Sequence, residues 1–223
     1  MTDIESRWRA IRTRVAEACE RAARAPSDVT IVAVSKTHPV HAICAAAAAG
    51  ARDFGENYVQ ELVGKRAEVT DVNWHFIGRL QRNKAKLVAG EVALVHAVDS
   101  VELAQELAKR ATRRQPILLA VNVSGEQTKG GVAHSEALAL ARAFVAIDNI
   151  RLDGLMTMPP PSEDPEASRP VFVALRELRD RLQDDLGAPL PVLSMGMSGD
   201  FEVAIACGAT HVRIGTAIFG SRQ

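Results

Sequence analysis

The chain has 223 residues, of which 47% are hydrophobic, and its 27 basic side chains equal its 27 acidic ones in number. This composition supports one full hydrophobic core and is unlike that of a disordered or fibrous chain. A formal net charge of zero excludes the broad basic surface that is typical of proteins that bind nucleic acid or anionic membranes, so no partner of either kind is expected. The first residues are charged where a secretory signal would be apolar, and no apolar run approaches roughly 18 residues. We therefore expect a cytoplasmic protein.

Residues 2–24 place apolar side chains at helical spacing, which predicts one amphipathic helix, with a possible capping box from Thr2 to Glu5. After Pro26 the pattern changes to short apolar strands that alternate with helical segments. The predicted strands span residues 30–36, 51–55, 73–78, 93–98, 116–123, 150–157, 191–195 and 211–215. The predicted helices between them lie near residues 39–49, 57–68, 80–89, 100–113, 134–147, 165–186 and 199–207.

Strict alternation of strands and helices predicts a parallel sheet, and eight such units close a (β/α)₈ barrel of the TIM type. A doubly wound open sheet is the alternative, because periodicity does not show whether a sheet closes. Residues 1–223 are expected to form this one domain, with no room for a second. The last strand is so near the end of the sequence that no eighth helix is expected, and the N-terminal helix could cover that gap or the barrel floor.

Lys36 stands at the end of the first predicted strand. Alternate residues of a strand share a face, so Val32, Val34 and Lys36 point to the same side. If that face lines a barrel, an amine emerges from an apolar wall at the mouth, which is where a Schiff-base lysine would lie. Such an amine reacts only when neutral, a state favoured by burial or by a neighbouring cation, since both lower its pKa. The alternative is that Lys36 simply ends its strand and extends into water.

The loops after the seventh and eighth predicted strands have the composition of a phosphate site. Around Ser194 and Ser198 the hydroxyls can donate hydrogen bonds, and a helix is expected to begin near Gly199. Gly215 and Thr216 provide a second corner of the same kind. Barrels of this class often bind phosphate at these two loops, where backbone N–H groups point at the anion. Turns of this composition also occur as simple helix caps.

Arg213 is the charged residue that is hardest to explain by packing alone. It shares a strand face with His211 and Gly215, and a barrel interior rarely accepts an unpaired guanidinium. Either a carboxylate of the protein, for which Glu56 is the candidate, or a ligand must therefore lie beside it. His75 follows Trp74 on an apolar strand, and either lies near the site mouth or is a buried packing residue.

No set of His, Cys, Asp and Glu residues has the spacing of metal ligands, so no metal is expected. The proline-rich segment 158–165 predicts an exposed loop, which is either a lid over the site or an inert connection.

Motifs distributed along nearly the whole sequence resemble the pyridoxal phosphate homeostasis protein family. They are Ala-Val-Ser-Lys-Thr at 33–37, Phe-Gly-Glu-Asn-Tyr-Val-Gln-Glu at 54–61, Trp-His-Phe-Ile-Gly at 74–78, Leu-Gln-x-Asn-Lys at 80–84, Gly-Leu-Met at 154–156, Ser-Met-Gly-Met-Ser at 194–198 and Val-Arg-Ile-Gly-Thr-Ala-Ile-Phe-Gly at 212–220. The resemblance implies a single barrel of the alanine racemase N-terminal type in which Lys36 holds pyridoxal 5′-phosphate (PLP) as an internal aldimine.

The resemblance also implies roles for the other site residues. Arg213 contacts the pyridine nitrogen and Asn57 lies near the cofactor, while the phosphate is bound by Ser198, Gly199, Gly215 and Thr216; together with Lys36 and Ser194 these are the expected cofactor-binding residues. Gly199 stands where relatives often carry a more polar residue, but its backbone N–H is retained. An arginine at the ring nitrogen keeps that nitrogen unprotonated and makes the ring a poorer electron sink.

The sequence leaves three functions open. The resemblance implies a non-catalytic regulator of vitamin B6 that binds PLP and related vitamers and limits the free aldehyde. Supply of the cofactor to PLP-dependent apo-enzymes is a further role that this hypothesis leaves open. The second is a weak PLP-dependent amino-acid racemase, whose second proton donor would have to be Tyr58 or His75. The third is an unrelated barrel enzyme for sugar phosphates in which Lys36 forms an imine with the substrate. A monomer is expected, since no long apolar stripe remains after the barrel is assembled.

Overall fold

Eight parallel strands close a barrel in the computed structural model, which describes residues 3–125 and 130–220. The ring follows chain order, and its last strand pairs with its first, so every strand of the ring has two neighbours. This confirms the (β/α)₈ barrel and shows that the open sheet is wrong. The strands are β1 Thr30–Val34, β2 Asp53–Glu56, β3 Asn73–Phe76, β4 Leu94–Val98, β5 Gln115–Asn122, β7 Ile150–Met156, β8 Val192–Ser194 and β9 His211–Ile214, and the two-residue β6 Val132–Ala133 pairs with β5 outside the ring.

Helices surround the barrel. They are α1 Asp3–Arg21, α2 Val40–Ala48, α3 Val59–Glu68, α4 Val101–Arg110, α5 Ala137–Val145, α6 Arg169–Leu186, α7 Phe201–Ala206 and α8 Thr216–Phe219. Between β3 and β4 the expected helix is a short 3₁₀-helix, Arg82–Leu87, a form that suits connections of one or two turns. Within the described residues, no helix is long and apolar enough to cross a membrane.

The N-terminal helix α1 closes the outer layer. It contacts α2, α7 and α8, and so covers the gap between the last helices and the first, as expected. Its buried side chains include Trp8, Ile11 and Val15, which share one face at helical spacing. The expectation that no eighth helix follows β9 is wrong, because α8 forms one turn directly after that strand. The proposed capping residue Thr2 lies outside the described residues.

The barrel interior has one apolar side and one polar side. Leu94, Leu118, Ala120 and Met156 form a small apolar cluster inside the ring, separate from the large core between the strands and the helices. The polar side of the interior carries buried His75, His96, Ser194 and Arg213. Burying polar groups costs free energy unless they are hydrogen-bonded. The interior polar residues are therefore the part of the fold that packing alone does not explain.

Gly154 allows β7 and β8 to pair, because a Cβ at this position would lie 1.8 Å from the backbone oxygen of Val192. We expect Gly154→Ala to lower the free energy of unfolding by about 3 kcal/mol, since the clash is with backbone that cannot move aside. Gly64→Ala is the matched control, because a Cβ there meets nothing within 4 Å. It should stabilise α3 by about 0.5–1 kcal/mol. Urea denaturation of both variants measures the two effects, and effects of the same sign would contradict this account.

Candidate functional site

A cavity of about 400 Å³ opens at the C-terminal ends of the barrel strands. Apolar side chains, among them Val34, Ile77 and Met156, form one part of its wall. Of the eight residues that the sequence analysis selected, all but Ser194 line it: Lys36, Asn57, Ser198, Gly199, Arg213, Gly215 and Thr216. The barrel thus brings together residues that are up to 180 positions apart in the sequence, which is the separation of Lys36 and Thr216. An amine, a guanidinium and two hydroxyl-bearing corners face one volume.

Both backbone neighbours of Lys36 are held in place by carboxylates. The hydroxyl of Ser35 donates to Glu56 Oε1 at 2.6 Å, and the backbone N–H of Thr37 donates to Glu61 Oε2 at 2.7 Å. Thr37 has φ +65°, a left-handed conformation that costs a residue with a Cβ about 1–2 kcal/mol. The hydrogen bond from Thr37 therefore fixes an unfavourable turn, and that turn directs the chain around Lys36.

Lys65 links the two carboxylates. Its Nζ lies 2.8 Å from Glu56 Oε1, 2.6 Å from Glu61 Oε2 and 2.8 Å from the backbone oxygen of Ser35. Burial raises the pKa of Glu56 despite its hydrogen bonds from Lys65 and Ser35. Burial also acts to raise the pKa of Glu61, but hydrogen bonds from Lys65 and Thr37 outweigh it and lower that pKa. We call Glu56, Glu61 and Lys65 the Lys65 cluster.

Glu56, the candidate carboxylate partner of Arg213, does not pair with it, so that alternative is wrong. Glu56 shares a face of β2 with Phe54 of the core, because alternate residues of a strand point to the same side. Its bonds to Ser35 and to Lys65 of α3 place its carboxylate between the barrel and the helices. Arg213 lies inside the ring, and its Nη1 donates to Ser194 Oγ at 2.6 Å.

Two turns form a polar corner of the cavity. Ser198 and Gly199 follow β8, and a Cβ added at Gly199 would meet nothing within 4 Å, so this corner is open to a ligand. Gly215 and Thr216 follow β9, where α8 begins. The Ser198 hydroxyl accepts from the backbone N–H of Ala217 at 3.4 Å and so joins the two turns. First-turn N–H groups favour an anion at such a corner.

Arg213 is buried and fixed by two hydrogen bonds. Besides its bond to Ser194, its Nη2 donates to the backbone oxygen of Thr157 at 2.9 Å. Burial lowers the pKa of Arg213 to about 10, while the charge of Asp200 acts to raise it. The guanidinium is thus still charged at neutral pH. Ser194, the predicted residue outside the cavity wall, lies beneath it and contacts Arg213.

His75 lies below the cavity rather than at its mouth. Its Nδ1 is 3.0 Å from His96 Nε2, and its Nε2 is 3.1 Å from Asp53 Oδ1. The ring of His211 lies 6.1 Å from the rings of both His75 and His96. The interpretation of His75 as a buried residue is confirmed by these contacts.

Two residues that were not predicted from the sequence as site residues also line the cavity. Asp99 follows β4 directly and lines the cavity, as does Arg79, which follows β3 by a few residues. Asp99 is a charged residue directly after an apolar strand. The same pattern was used to predict site residues at the other strand ends, so it could have identified Asp99 as well. An adjacent surface groove of about 930 Å³ shares Asn57, Arg79 and Asp99, but Lys36 does not line it. Within residues 3–125 and 130–220, no group of three or more His, Cys, Asp or Glu is placed to hold a metal ion.

Comparison with known proteins shows similarity along nearly the whole chain. The family described as alanine racemase, N-terminal domain, matches residues 7–223. The pyridoxal phosphate homeostasis protein of Aquifex aeolicus is 47% identical over 215 residues, which cover 94% of this chain and 94% of that protein. That of Pseudomonas aeruginosa is 46% identical over 228 residues, covering 100% and 97%. The structure of PipY from Synechococcus elongatus with PLP bound has a TM-score of 0.82 at 35% identity, covering 92% of this chain and 100% of that one.

Proposed function

The chain belongs to the pyridoxal phosphate homeostasis protein family, and we propose that it holds PLP covalently at Lys36 as part of vitamin B6 homeostasis, without robust catalysis. The observation that carries the proposal is the cavity itself, in which Lys36 and the corner of Ser198 and Thr216 face one volume. When bound, PLP supplies an aldehyde that a lysine amine can condense with and a ring that can accept electrons.

The residues present fit this ligand. Asn57 Oδ1 is buried at the cavity and has no hydrogen-bond partner among the described residues, as expected for a group that awaits a ligand donor. Gly199 leaves room for a phosphate beside the Ser198 hydroxyl, because a Cβ there would meet nothing within 4 Å, and Gly215 and Thr216 line the same cavity. We assign the phosphate to this corner and the covalent bond to Lys36. In forming that bond, the amine nitrogen joins the aldehyde carbon and one water molecule leaves.

Arg213 supports a holding role over a catalytic one. It is the cation that lines the cavity from β9, and a guanidinium can only donate hydrogen bonds. A ring nitrogen that accepts from it stays unprotonated, and the ring then withdraws electrons weakly. Neither Tyr58, which is 55% exposed, nor His75 lies in the cavity wall. Two-base racemisation through either residue is therefore less well supported than cofactor binding.

The proposed role as a PLP-holding protein includes a domain organisation, a location and a set of partners. Residues 1–223 act as one PLP-binding domain, which is monomeric, works in the cytoplasm, binds PLP and related vitamers and supplies PLP-dependent apo-enzymes. It does not act on nucleic acid or membranes, and it needs no metal.

The proposed function predicts a coloured protein. Protein reconstituted with PLP should absorb in the visible range, and reduction with borohydride followed by peptide mapping should place the label on Lys36. Racemisation of amino acids should be far slower than by dedicated racemases. Absence of the visible band, or a label elsewhere, would overturn the proposal, and brisk racemisation would favour the enzyme instead. A colourless protein that is trapped only with an added sugar phosphate would indicate the third function.

A further inference from the structure

A row of hydrogen bonds crosses the barrel interior beneath the cavity. It begins at Arg213 Nη1, which lies 2.6 Å from Ser194 Oγ, and continues from Ser194 Oγ to His96 Nδ1 at 2.8 Å. From His96 Nε2 it passes to His75 Nδ1 at 3.0 Å, and from His75 Nε2 to Asp53 Oδ1 at 3.1 Å. Arg213 lines the cavity, whereas Asp53 lines a groove at the opposite end of the barrel, where β2 begins. The row thus connects the two ends of the barrel.

The chemistry of the two ends determines the direction of every hydrogen bond in the row. A guanidinium only donates and an ionised carboxylate only accepts. A neutral imidazole donates from one nitrogen and accepts at the other, so His75 donates from Nε2 to Asp53 and accepts at Nδ1 from His96. His96 then accepts at Nδ1 from the Ser194 hydroxyl, which itself accepts from Arg213. All four bonds are satisfied with both histidines neutral and in the Nε2–H form.

The protonation states that this direction requires agree with the surroundings. Burial is the largest cause that lowers the pKa of His96 well below its ordinary value, and the charge of Arg213 acts in the same direction. Burial acts to raise the pKa of Asp53, but hydrogen bonds from His75 and Asn73 outweigh it and keep that carboxyl ionised. Burial lowers the pKa of His211 to about 4, and the charge of Arg213 acts in the same direction while that of Asp53 opposes it, so this third histidine is neutral as well.

Packing alone does not account for these polar residues. The other side of the same interior is filled by Leu94, Leu118 and Met156, which carry no desolvation cost. Among the residues that the structure describes, no carboxylate lies within 4 Å of Arg213. The row therefore fixes the position of the buried Arg213 guanidinium, as a direct ion pair would otherwise do.

We propose that Ser194, His96, His75 and Asp53 are positioning residues that hold the Arg213 guanidinium against the ring nitrogen of the bound cofactor. This inference rests on the proposed function for its ligand, but the orientation of the row is a property of the protein alone. Arg213 touches the ligand, and the other four residues act through Arg213. Losing the Ser194 hydroxyl releases one guanidinium nitrogen and leaves His96 Nδ1 without its donor, so the cation moves away from the ring.

The orientation of the row is tested first in protein without PLP. Two-bond ¹⁵N–¹H correlation spectra of the histidine rings report which nitrogen carries the proton. We expect the Nε2–H form for both His96 and His75, with a pKa of His96 well below the ordinary value for histidine. An Nδ1–H form of His96, or titration near its ordinary pKa of about 6.5, would overturn the proposal whether or not PLP binds.

The positioning effect is tested in PLP-loaded protein by titrating the visible band with pH. A nearby cation lowers the pKa of the linked Lys36 nitrogen, so Arg213→Met should raise that pKa by about one unit. This shift is the largest that loss of the row could cause, and the other variants are compared with it. Ser194→Ala should raise the pKa by about half as much, and Ser194→Thr, which keeps the hydroxyl, should restore the native value. Ser100→Ala is the control, because Ser100 precedes α4 without a side-chain cap bond.

The outcomes separate the two proposals. If Arg213→Met shifts the titration and Ser194→Ala does not, positioning through Ser194 is wrong while PLP binding stands. If the native protein gives no visible band, the proposed function fails, and the histidine spectra still decide the orientation of the row.

Discussion

Lys36→Ala is expected to abolish covalent attachment of PLP while leaving binding through the phosphate. The amine lies at the end of β1, whereas Ser198 and Thr216 lie after β8 and β9, so the two contacts are separate in the structure. Affinity for PLP should fall about 100-fold, which corresponds to about 2.7 kcal/mol. Pyridoxine 5′-phosphate, which has an alcohol in place of the aldehyde, should bind the variant and the native protein equally. Equilibrium dialysis with both ligands measures these affinities.

Lys84→Ala is the matched control for Lys36→Ala, because Lys84 lines the adjacent groove instead of the cavity. It should leave the visible band and both affinities unchanged. Thr216→Val should weaken both ligands to a similar extent, since each carries the phosphate. If Lys36→Ala weakens pyridoxine 5′-phosphate as much as PLP, the separation of the amine from the phosphate corner is wrong.

The position of the site was predictable because a barrel converts strand ends into neighbours. Lys36, Arg213 and Thr216 each follow or end an apolar strand, and parallel strands that close a ring bring those ends to one mouth. The sequence pattern therefore specifies which residues meet, once the barrel is inferred. The strand faces were also predictable, and Val34 and Lys36 share the cavity wall as alternation requires.

The pairing of buried charges was not predictable, because it depends on which face of a strand meets which helix. Glu56 was one candidate partner for Arg213, with a ligand as the alternative. One position along β2 decides between the interior and the helix layer, and Glu56 lies in the helix layer next to Lys65. Lys65 itself looks in the sequence like an ordinary solvent-exposed helix residue. Its burial follows from the packing of α3 on β2, which sequence periodicity does not specify.

The row from Arg213 to Asp53 was hidden for a related reason. A buried position was one of two interpretations of His75, but its partner His96 lies on the next strand, 21 positions away, and Ser194 lies 98 positions beyond His96. To predict such contacts one must know how far β3, β4 and β8 are shifted relative to one another along the barrel axis. That stagger is not encoded in any local sequence pattern. The sequence pattern thus predicts the residues that line the cavity more readily than the buried polar residues beneath it.

Lys65→Met is expected to produce the largest loss of stability outside the cavity. Removing the ammonium leaves Glu56 buried with only the Ser35 hydroxyl as a partner and leaves Glu61 without its cation. Loss of one partner of a buried ion pair costs about 3–5 kcal/mol, because the remaining charge stays desolvated. Urea denaturation should show this decrease in the free energy of unfolding. Covalent attachment of PLP should also slow, because Lys65 no longer fixes the Glu56 and Glu61 carboxylates that hold Ser35 and Thr37 on either side of Lys36.

Two further variants make the interpretation specific to the buried charge. Lys86→Met removes an exposed lysine and should change the free energy of unfolding by no more than about 0.5 kcal/mol. The double variant Glu56→Gln with Lys65→Met removes the stranded carboxylate together with the lysine, and should recover more than half of the loss. If Lys65→Met is as mild as Lys86→Met, the Lys65 cluster does not stabilise the turn. If the double variant recovers stability but not the rate of attachment, the cluster orients Lys36 through its charges and not only through the packing of α3.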